Sequence, residues 1–363
     1  MKYLELPHKQ ADYLCPINGL CDVYEWKTGN RMPEELLFFS RTGFMLISQK
    51  RAVPPKMIFL ANGSIGSNQY NFWKSIMEYD IIASEGKSFK STLSNIMELI
   101  NNDIPVILFG LDMYHLPYQT KYYHTTHIPG HVVLMVGYDD KNAYIHDNSK
   151  DDVQTIPFEE LQSAWENDYI GISKKNAYFG IRFRQPNFDM RDIMQKGLSI
   201  NADNFINPPI GFMGIRGMEK LIKEFSTWEN YFDASTLCEI YKHFVTYTGS
   251  VLPELPEKLN DDSSGIENPH RGSRDRLSTA LMQYKDSMDS STWEQAAIAY
   301  QKSGIIIEQI VNGFTQDILD NSFSETHRYI SLFSQLKQVE EKAHEELSIP
   351  IEHQKLRNKS IEH

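Results

Sequence analysis

Cys15 stands in a sequence context that favours a reactive thiol. Pro16 follows it, and proline is favoured at the first position of a helix, where its missing N–H would have no partner in any case. The sequence therefore predicts that Cys15 caps a helix running toward Trp26. A thiol at a helix N-terminus lies at the positive end of the helix dipole, which favours the nucleophilic thiolate. Cys21 and Cys238 suit the ordinary interpretation of cysteine as a small buried residue.

A base and an acid that could serve this thiol stand at the ends of two predicted strands. His131 opens an apolar strand directly after Pro129-Gly130, and Asp147 ends the next strand sixteen residues later. In a hairpin that turns at Asp139-Asp140, the two side chains would be neighbours, so the carboxylate could orient the imidazole. The alternative is a hydrogen-bonded strand-edge histidine and a turn aspartate without catalytic roles.

Two further histidines precede His131. His124 and His127 continue a spacing of three and then four residues, which on a helix could hold zinc. Pro129-Gly130 argues against a helix there, so no metal site is predicted.

The elements that would position these residues follow from hydrophobic periodicity. Alternating or continuous apolar runs predict strands, and apolar residues three and four apart predict helices. The first half is therefore predicted to be α+β, with an antiparallel sheet formed by strands at 104–109, 131–138, 143–147 and 178–184 and with helices at 89–100 and 157–165.

The chain changes character near residue 186, where the strand signal ends. Helical spacing then continues through residues 218–228, 237–244, 306–318 and 332–343. A hinge is predicted at 201–214 and a loop at 252–273, since both are rich in turn-forming residues. The predicted domains are residues 1–185, the sheet domain, and residues 186–363, a helical domain.

Composition limits the classes of function. The chain has 363 residues, 41% of them hydrophobic, and a net charge of −12, which argues against a nucleic-acid-binding protein. Its longest apolar run is about eight residues, whereas a membrane span needs about 20. Three cysteines cannot form a disulfide framework, and the N-terminal residues lack the apolar core of a secretion signal. We therefore expect a cytoplasmic protein that does not bind membranes.

Several stretches together resemble a known family. The chain resembles the papain-like cysteine fold and, more closely, the family of the butirosin biosynthesis acyltransferase BtrH with its helical C-terminal domain. The stretches that carry this resemblance are Cys15 with its helix, residues 103–108, Asp112 with Leu116-Pro117-Tyr118, residues 131–140, Asp147, residues 214–218 and residues 271–275.

The resemblance implies an N-acyl transfer, in secondary-metabolite biosynthesis such as that of an antibiotic. An acyl group would arrive as a thioester on the phosphopantetheine of an acyl carrier protein. Cys15 would take it, His131 would act as base, and Asp147 would orient His131. The acceptor would be an amine on a small molecule, such as an aminoglycoside in the namesake pathway. Since amide formation from a thioester is downhill, the reaction needs no cofactor or metal.

The resemblance also raises questions about the rest of the site. Papain-like enzymes usually carry an oxyanion-hole glutamine six residues before the cysteine, where this chain has Lys9. Gln10 could serve instead through a local bulge, or backbone N–H groups could do so. Asp112 either binds an amine of the acceptor or caps a loop, and Tyr118 is expected in the pocket wall.

An arginine-rich stretch stands out in this acidic chain. Arg271, Arg274 and Arg276 could receive an acidic carrier protein or a phosphopantetheine phosphate. The ordinary interpretation is a solvated start of a helix. The apolar faces of the helical half could pair in a homo-oligomer or cover the sheet domain.

Two other functions remain open at this level. A cysteine hydrolase, either a peptidase or an amidase, would use the same three residues and differ in letting water reach the acyl-enzyme. A non-enzymatic binding protein on the same scaffold would not need Cys15, His131 and Asp147 together.

Overall fold

The computed structural model describes residues 1–11, 14–60, 68–169, 173–249, 273–288, 290–323 and 326–348. The strands are β1 (Lys2–Tyr3), β2 (Met45–Ser48), β3 (Lys56–Phe59), β4 (Tyr79–Ser84), β5 (Val106–Leu111), β6 (His131–Tyr138), β7 (Asn142–His146), β8 (Gln154–Pro157) and β9 (Ala177–Phe183). The helices are α1 (Cys15–Thr28), α2 (Glu34–Phe39), α3 (Asn68–Met77), α4 (Phe89–Asn101), α5 (Phe158–Trp165), α6 (Met190–Ile206), α7 (Gly214–Phe225), α8 (Trp228–Tyr231), α9 (Ala234–Gly249), α10 (Ser273–Tyr284), α11 (Thr292–Asp320) and α12 (His327–Leu347).

The chain forms two compact units. The first comprises Met1–Phe38 and Ser64–Ile193, and the second comprises Phe39–Gly63 and Met194–His363. This division differs from the predicted domains 1–185 and 186–363, because a segment of the N-terminal half joins the helical unit. The strands β2 and β3 of that segment are too short for their pattern to show which core they enter.

The first unit contains an antiparallel sheet and the helices α1, α3, α4 and α5. Its strands run in the order β4-β9-β5-β6-β7-β8, and β1 pairs with β6. Every residue of β5 is buried, so this strand lies at the centre of the sheet with both faces covered. The helix α1 packs across β6, where a Cβ on Gly19 would lie 3.0 Å from the Cβ of Leu134. This close approach places the start of α1 over the sheet.

Helices and one hairpin form the second unit. β2 pairs with β3, and Phe44, Leu46, Ile58 and Leu60 enter the same core as the helices α7, α9, α11 and α12. The predicted helical periodicities are confirmed, except that the stretch 218–228 is divided between α7 and α8, and the fold class of a mixed α/β region followed by a helical region is confirmed as well. The predicted hinge is wrong over residues 201–206, which end α6. The predicted loop at 252–273 lies outside the described residues, except for Ser273, which begins α10.

Within the described ranges, no helix combines the length and the apolar character that a membrane crossing requires. The expected cytoplasmic location remains a prediction.

Candidate active site

The sequence predicts Cys15 as the cap residue of α1. In the structure it is the first residue of the helix, and the cap lies one position earlier. Leu14 occupies the cap position without a side-chain hydrogen bond, and proline lies in the first turn as expected. The hydroxyl of Tyr70 and the amide of Gln69 each donate to the Pro16 carbonyl at 2.5 Å, which anchors this turn. Cys15 is half-buried and forms no disulfide. Its thiol therefore lies at the start of a helix whose first turn is held in place by these two hydrogen bonds.

The other cysteines differ from Cys15. Cys21 is fully buried within α1, and burial raises the pKa of its thiol well above the usual value. Cys238 is partly buried on α9 and packs against the core of the second unit. Both placements agree with the prediction that these residues serve packing.

The structure brings His131 and Asp147 together. The Nε2 atom of His131 lies 2.6 Å from Oδ2 of Asp147, and both side chains are buried. The strand register pairs Leu134 with His146, so His131 and Asp147 meet diagonally rather than directly across the hairpin. The contact itself is as the sixteen-residue spacing predicts.

The thiol of Cys15 completes this cluster. Burial disfavours the imidazolium form of His131, but the charge of Asp147, the hydrogen bond to it and the adjacent Cys15 outweigh burial and raise the pKa of His131 to about 10. Because Nε2 is engaged by Asp147, Nδ1 is the nitrogen left to face the thiol. A cysteine, an imidazole and a carboxylate thus stand in the order that nucleophilic catalysis requires.

Several donors surround the carboxylate of Asp147. The hydroxyl of Tyr118 donates to Oδ2 at 2.6 Å and the amide of Gln119 at 3.2 Å. The backbone N–H and the hydroxyl of Ser149 donate to Oδ1 at 2.9 and 2.8 Å. Burial raises the pKa of Asp147, but the charge of His131 and these hydrogen bonds hold it below the usual range. The acid is therefore ionised and fixed in orientation.

Tyr118 is partly buried and contacts Asp147, and its place in the pocket wall stays a prediction. Its hydroxyl donates a hydrogen bond to Asp147. Burial raises the pKa of Tyr118 well above its usual value, and the charge of Asp147 and this hydrogen bond raise it further. Sequence reasoning missed Gln119 and Ser149. Gln119 directly follows the Leu-Pro-Tyr motif, so the motif was the signal that could have found it.

Gln10, the predicted oxyanion-hole residue, is exposed. The next residue, Ala11, exchanges hydrogen bonds with Asn148, from N–H to carbonyl at 2.8 Å and from the Asn148 amide to the Ala11 carbonyl at 2.9 Å. The segment that contains Gln10 therefore runs beside the Asp147 turn. A role in the oxyanion hole remains a prediction.

Asp112 caps a loop, which is one of its two predicted roles. Its Oδ1 accepts from the backbone N–H groups of Tyr114 and Ile128 at 3.1 and 3.0 Å. Its Oδ2 lies 2.6 Å from Nδ1 of His127 and accepts from the hydroxyl of Tyr169 at 3.2 Å. Three partners in the loop and Tyr169 from outside it engage both oxygens of the buried carboxylate, so the alternative of binding an amine loses its support.

The docking role predicted for Arg274 is wrong, because this side chain is buried. Its guanidinium pairs with Glu340 at 2.8 Å and donates to the carbonyls of Leu60 and Gly43 at 2.7 and 3.0 Å. Arg276 is partly exposed and lies over the ring of Phe39. Arg271 lies outside the described residues, so its predicted role stays a prediction.

Two groups of described residues bring three possible metal ligands within 4.8 Å of one another. In the first, Nδ1 of His8 and Nδ1 of His146 lie 2.7 and 2.9 Å from the same oxygen of Asp22. These are hydrogen-bond distances, shorter than the roughly 3.3 Å between two ligands of a tetrahedral zinc. Arg31 also binds the other oxygen of Asp22, so a metal does not fit there.

The second group consists of His115, His124 and Glu160. Two imidazoles and a carboxylate are ligand types that zinc accepts. Glu160 also accepts a hydrogen bond from the hydroxyl of Tyr123 at 3.1 Å. The spacing of His124, His127 and His131 does not form a cluster, since His127 binds Asp112 and His131 binds Asp147.

The first unit thus combines an antiparallel sheet, a cysteine at a helix start, and a histidine on β6 that contacts an aspartate directly after β7, which is the arrangement expected of a papain-like domain. Residues 14–148 match the family described as butirosin biosynthesis protein H, N-terminal, and residues 159–248 match a domain of unknown function (DUF4872). Over residues 14–148 the chain is therefore BtrH-like, as its sequence predicts.

Solved structures similar to part of the chain include one from a bacterium. A crystal structure described as a putative C39-like peptidase from Bacillus anthracis is 15% identical, with a TM-score of 0.35, and the match covers 52% of this chain and 100% of that one. No curated protein matches the chain.

Proposed function

We propose that the protein is a cysteine-dependent acyltransferase that makes an amide from an acyl thioester and an amine. The observation that carries the proposal is the buried His131–Asp147 pair beside the thiol of Cys15 at the start of α1. The BtrH-like match over residues 14–148 supports acyl transfer as the reaction class.

The first half-reaction forms an acyl-enzyme. The thiolate of Cys15 attacks the thioester carbonyl, and the tetrahedral intermediate collapses by breaking the bond to the donor sulfur. The leaving thiolate takes its proton from the imidazolium of His131. The ionised Asp147 stabilises that imidazolium before the proton leaves.

The second half-reaction delivers the acyl group. The amine attacks the acyl-Cys15 carbonyl while His131 accepts the amine proton, and the Cys15 sulfur leaves as a thiolate. The products are an amide and the starting enzyme. Since the acyl group is already activated as a thioester, the reaction needs neither ATP nor a metal.

We further propose that the acyl donor is a thioester on the phosphopantetheine of an acyl carrier protein and that the acceptor is a small amine-bearing molecule. The arginine-rich stretch concentrates positive charge in an acidic chain, and the partly exposed Arg276 is its described member that could contact an acidic carrier.

Acyl-adduct mass spectrometry tests this function. The full chain is incubated with acyl-N-acetylcysteamine thioesters, with and without added amines, and its intact mass is recorded. We expect an acyl adduct on wild-type protein that amines discharge faster than water does. Cys15→Ala should form no adduct and His131→Gln should lose most of the acylation rate, by more than about 10³-fold. Cys238→Ser, a change at a partly buried thiol of the second unit, is the matched control and should behave as wild type.

The other outcomes assign different functions. Discharge by water at the same rate with or without amine would indicate a hydrolase. A wild-type chain that takes no acyl group from thioesters or from peptides would contradict both enzymes and favour a binding protein.

A further inference from the structure

One face of α1 carries a row of polar side chains that begins with the nucleophile. Cys15, Asn18, Asp22 and Glu25 are spaced three, four and three residues apart, which places them on the same side of the helix. Asn18 and Asp22 are buried. Because buried polar groups need hydrogen-bond partners, this row must be matched by groups on neighbouring segments.

Asp22 makes most of the hydrogen bonds between this row and the neighbouring segments. Its Oδ2 lies 2.7 Å from Nδ1 of His8 and 2.9 Å from Nδ1 of His146, and its Oδ1 accepts from Arg31 at 2.9 Å. The rings of the two histidines stack with centroids 4.2 Å apart. His146 ends β7 and immediately precedes Asp147, so Asp22 contacts the strand that leads into the Asp147 turn.

His8 extends the connection into the Asp147 turn. Its Nε2 lies 2.9 Å from the carbonyl oxygen of Lys150 and 3.2 Å from that of Asp147. Carbonyl oxygens only accept, so Nε2 must carry a hydrogen. Nδ1 faces the carboxylate of Asp22 and must also donate. His8 is therefore an imidazolium with both N–H groups in use.

The surrounding charges agree with this protonation state. Burial lowers the pKa of His8, but the hydrogen bond and charge of Asp22 outweigh it and leave the pKa of His8 raised. For His146 burial dominates and lowers the pKa, so this second imidazole is the neutral member of the stacked pair. Beyond Asp22, Arg31 pairs with Glu25 and Glu34, which places its charge among acids.

We infer that His8 is a positioning residue for the proposed active site: it ties the turn that carries Asp147 to the nucleophile helix through Asp22. The mutual hydrogen bonds of Ala11 and Asn148 add a second tie at the same place. The inference rests on the proposed function in that Cys15 and Asp147 are the groups being aligned. The inference gives a structural role to the buried cluster of His8, Asp22 and His146, which takes no part in the proposed reaction.

Hydrogen exchange at the turn tests the inference directly. The backbone N–H groups of Ser149 and Lys150 donate to Oδ1 and the carbonyl of Asp147, both at 2.9 Å, and report whether the turn is closed. In His8→Phe, which keeps an aromatic ring against His146 but removes both donors, we expect protection at these two amides to fall about tenfold, the scale of one hydrogen bond to a charged group. His8→Gln keeps one amide donor and should lose less.

A second readout follows the nucleophile. The rate constant for alkylation of Cys15 by iodoacetamide, resolved by peptide mass spectrometry, should fall about tenfold in His8→Phe. Tyr24→Phe is the matched control, because it removes one hydrogen bond of α1, to the carbonyl of Asn187 at 2.6 Å, without touching the Asp147 turn. It should lower thermal stability but leave turn protection and Cys15 alkylation within about twofold of wild type.

The outcomes separate the inference from the proposed function. Unchanged turn protection in His8→Phe, or an equal loss in Tyr24→Phe, overturns the inference whatever the thioester experiment gives. Nitrogen chemical shifts of a neutral His8 ring at pH 7 also overturn it. A wild-type chain in which Cys15 alkylates but takes no acyl group overturns the proposed function alone.

Discussion

At the scale of single residues, the orientation of Asp147 depends on its neighbours. Tyr118, Gln119 and Ser149 donate to its two oxygens, and His131 contacts one of them. A carboxylate held in this way cannot rotate away from the imidazole. The carboxylate therefore fixes the orientation of the His131 ring, and with it the ring nitrogen that faces Cys15. Tyr118, Gln119 and Ser149 are therefore part of the proposed active site because they orient Asp147.

Replacing Tyr118 with phenylalanine tests this dependence. Tyr118→Phe removes the 2.6 Å donor to Asp147 and should slow acylation of Cys15 about three- to tenfold, since the carboxylate is less well fixed. Tyr123→Phe is the control, because that hydroxyl binds Glu160 instead. Single-turnover acylation rates of both variants provide the measurement. Equal rates in Tyr118→Phe and wild type would show that Tyr118 only packs.

The pH dependence of stability reports the same pair. The pKa of His131 is raised from the usual 6.5 to about 10 in the folded chain, so folding favours its protonated form. The stability that this gives is fully present below pH 6.5 and is lost as pH rises through about 10. We expect the free energy of unfolding, measured by urea denaturation, to fall more steeply over that range in wild type than in His131→Gln. Parallel curves would contradict the coupling.

At the scale of elements, the position of α1 on the sheet decides where the thiol lies. Gly19 packs closely on β6, since a Cβ on it would lie 3.0 Å from the Cβ of Leu134. That contact is tighter than an ordinary van der Waals separation, and Leu134 is fixed in a buried strand. A side chain at Gly19 must therefore shift the helix that begins with Cys15.

Gly19→Ala should separate stability from activity. Alanine favours a helix over glycine by about 1 kcal/mol, which offsets part of the steric cost. A displacement of α1 by a fraction of an ångström should still lower the acylation rate of Cys15, by about tenfold or more. Thermal melts and acylation rates measure the two effects. Gly211→Ala, where a Cβ meets nothing within 4 Å, is the control, and equal acylation in both variants would contradict the argument.

At the scale of the whole molecule, the two units are not consecutive pieces of chain. The second unit includes Phe39–Gly63 as well as Met194–His363. Phe44, Leu46, Ile58 and Leu60 are buried in its core. The buried guanidinium of Arg274 also takes two of its acceptors, the carbonyls of Gly43 and Leu60, from this segment.

A fragment of residues 186–363 should therefore fail to form a stable fold. It lacks four buried apolar side chains, each contributing about 2–4 kcal/mol, against a typical total stability of about 5–15 kcal/mol. It also leaves Arg274 with unpaired donors. We expect helical circular dichroism without a cooperative melt, together with dye binding to exposed apolar surface.

The matched control restores the missing segment. A polypeptide in which a flexible linker joins residues 39–63 to the fragment should regain a cooperative transition, because the four apolar side chains and the two carbonyl acceptors of Arg274 return with that segment. A fragment that melts like the full chain would contradict the division.

Local patterns in the sequence determined the elements and the first members of the site. Helical spacing at residues 306–318 and strand patterning at 131–138 depend on neighbouring residues alone, and both elements appear as expected. The start of a helix at Cys15 follows from Pro16 for the same reason. The contact of His131 with Asp147 follows from a hairpin whose turn is only a few residues long.

Only the tertiary structure decided which polar side chains are exposed and which are buried. The sequence predicts Arg274 as a surface charge, whereas Glu340, 66 residues away, pairs with it in the interior. Tyr118 and Gln119 reach Asp147 from 29 and 28 residues away, and β2 and β3 enter the core of a unit that is otherwise C-terminal. Whether burial of such a side chain stabilises or destabilises the fold depends on partners distant in sequence, because burying a polar group is favourable only when a specific partner forms a hydrogen bond or ion pair with it. Local periodicity contains no information about those partners.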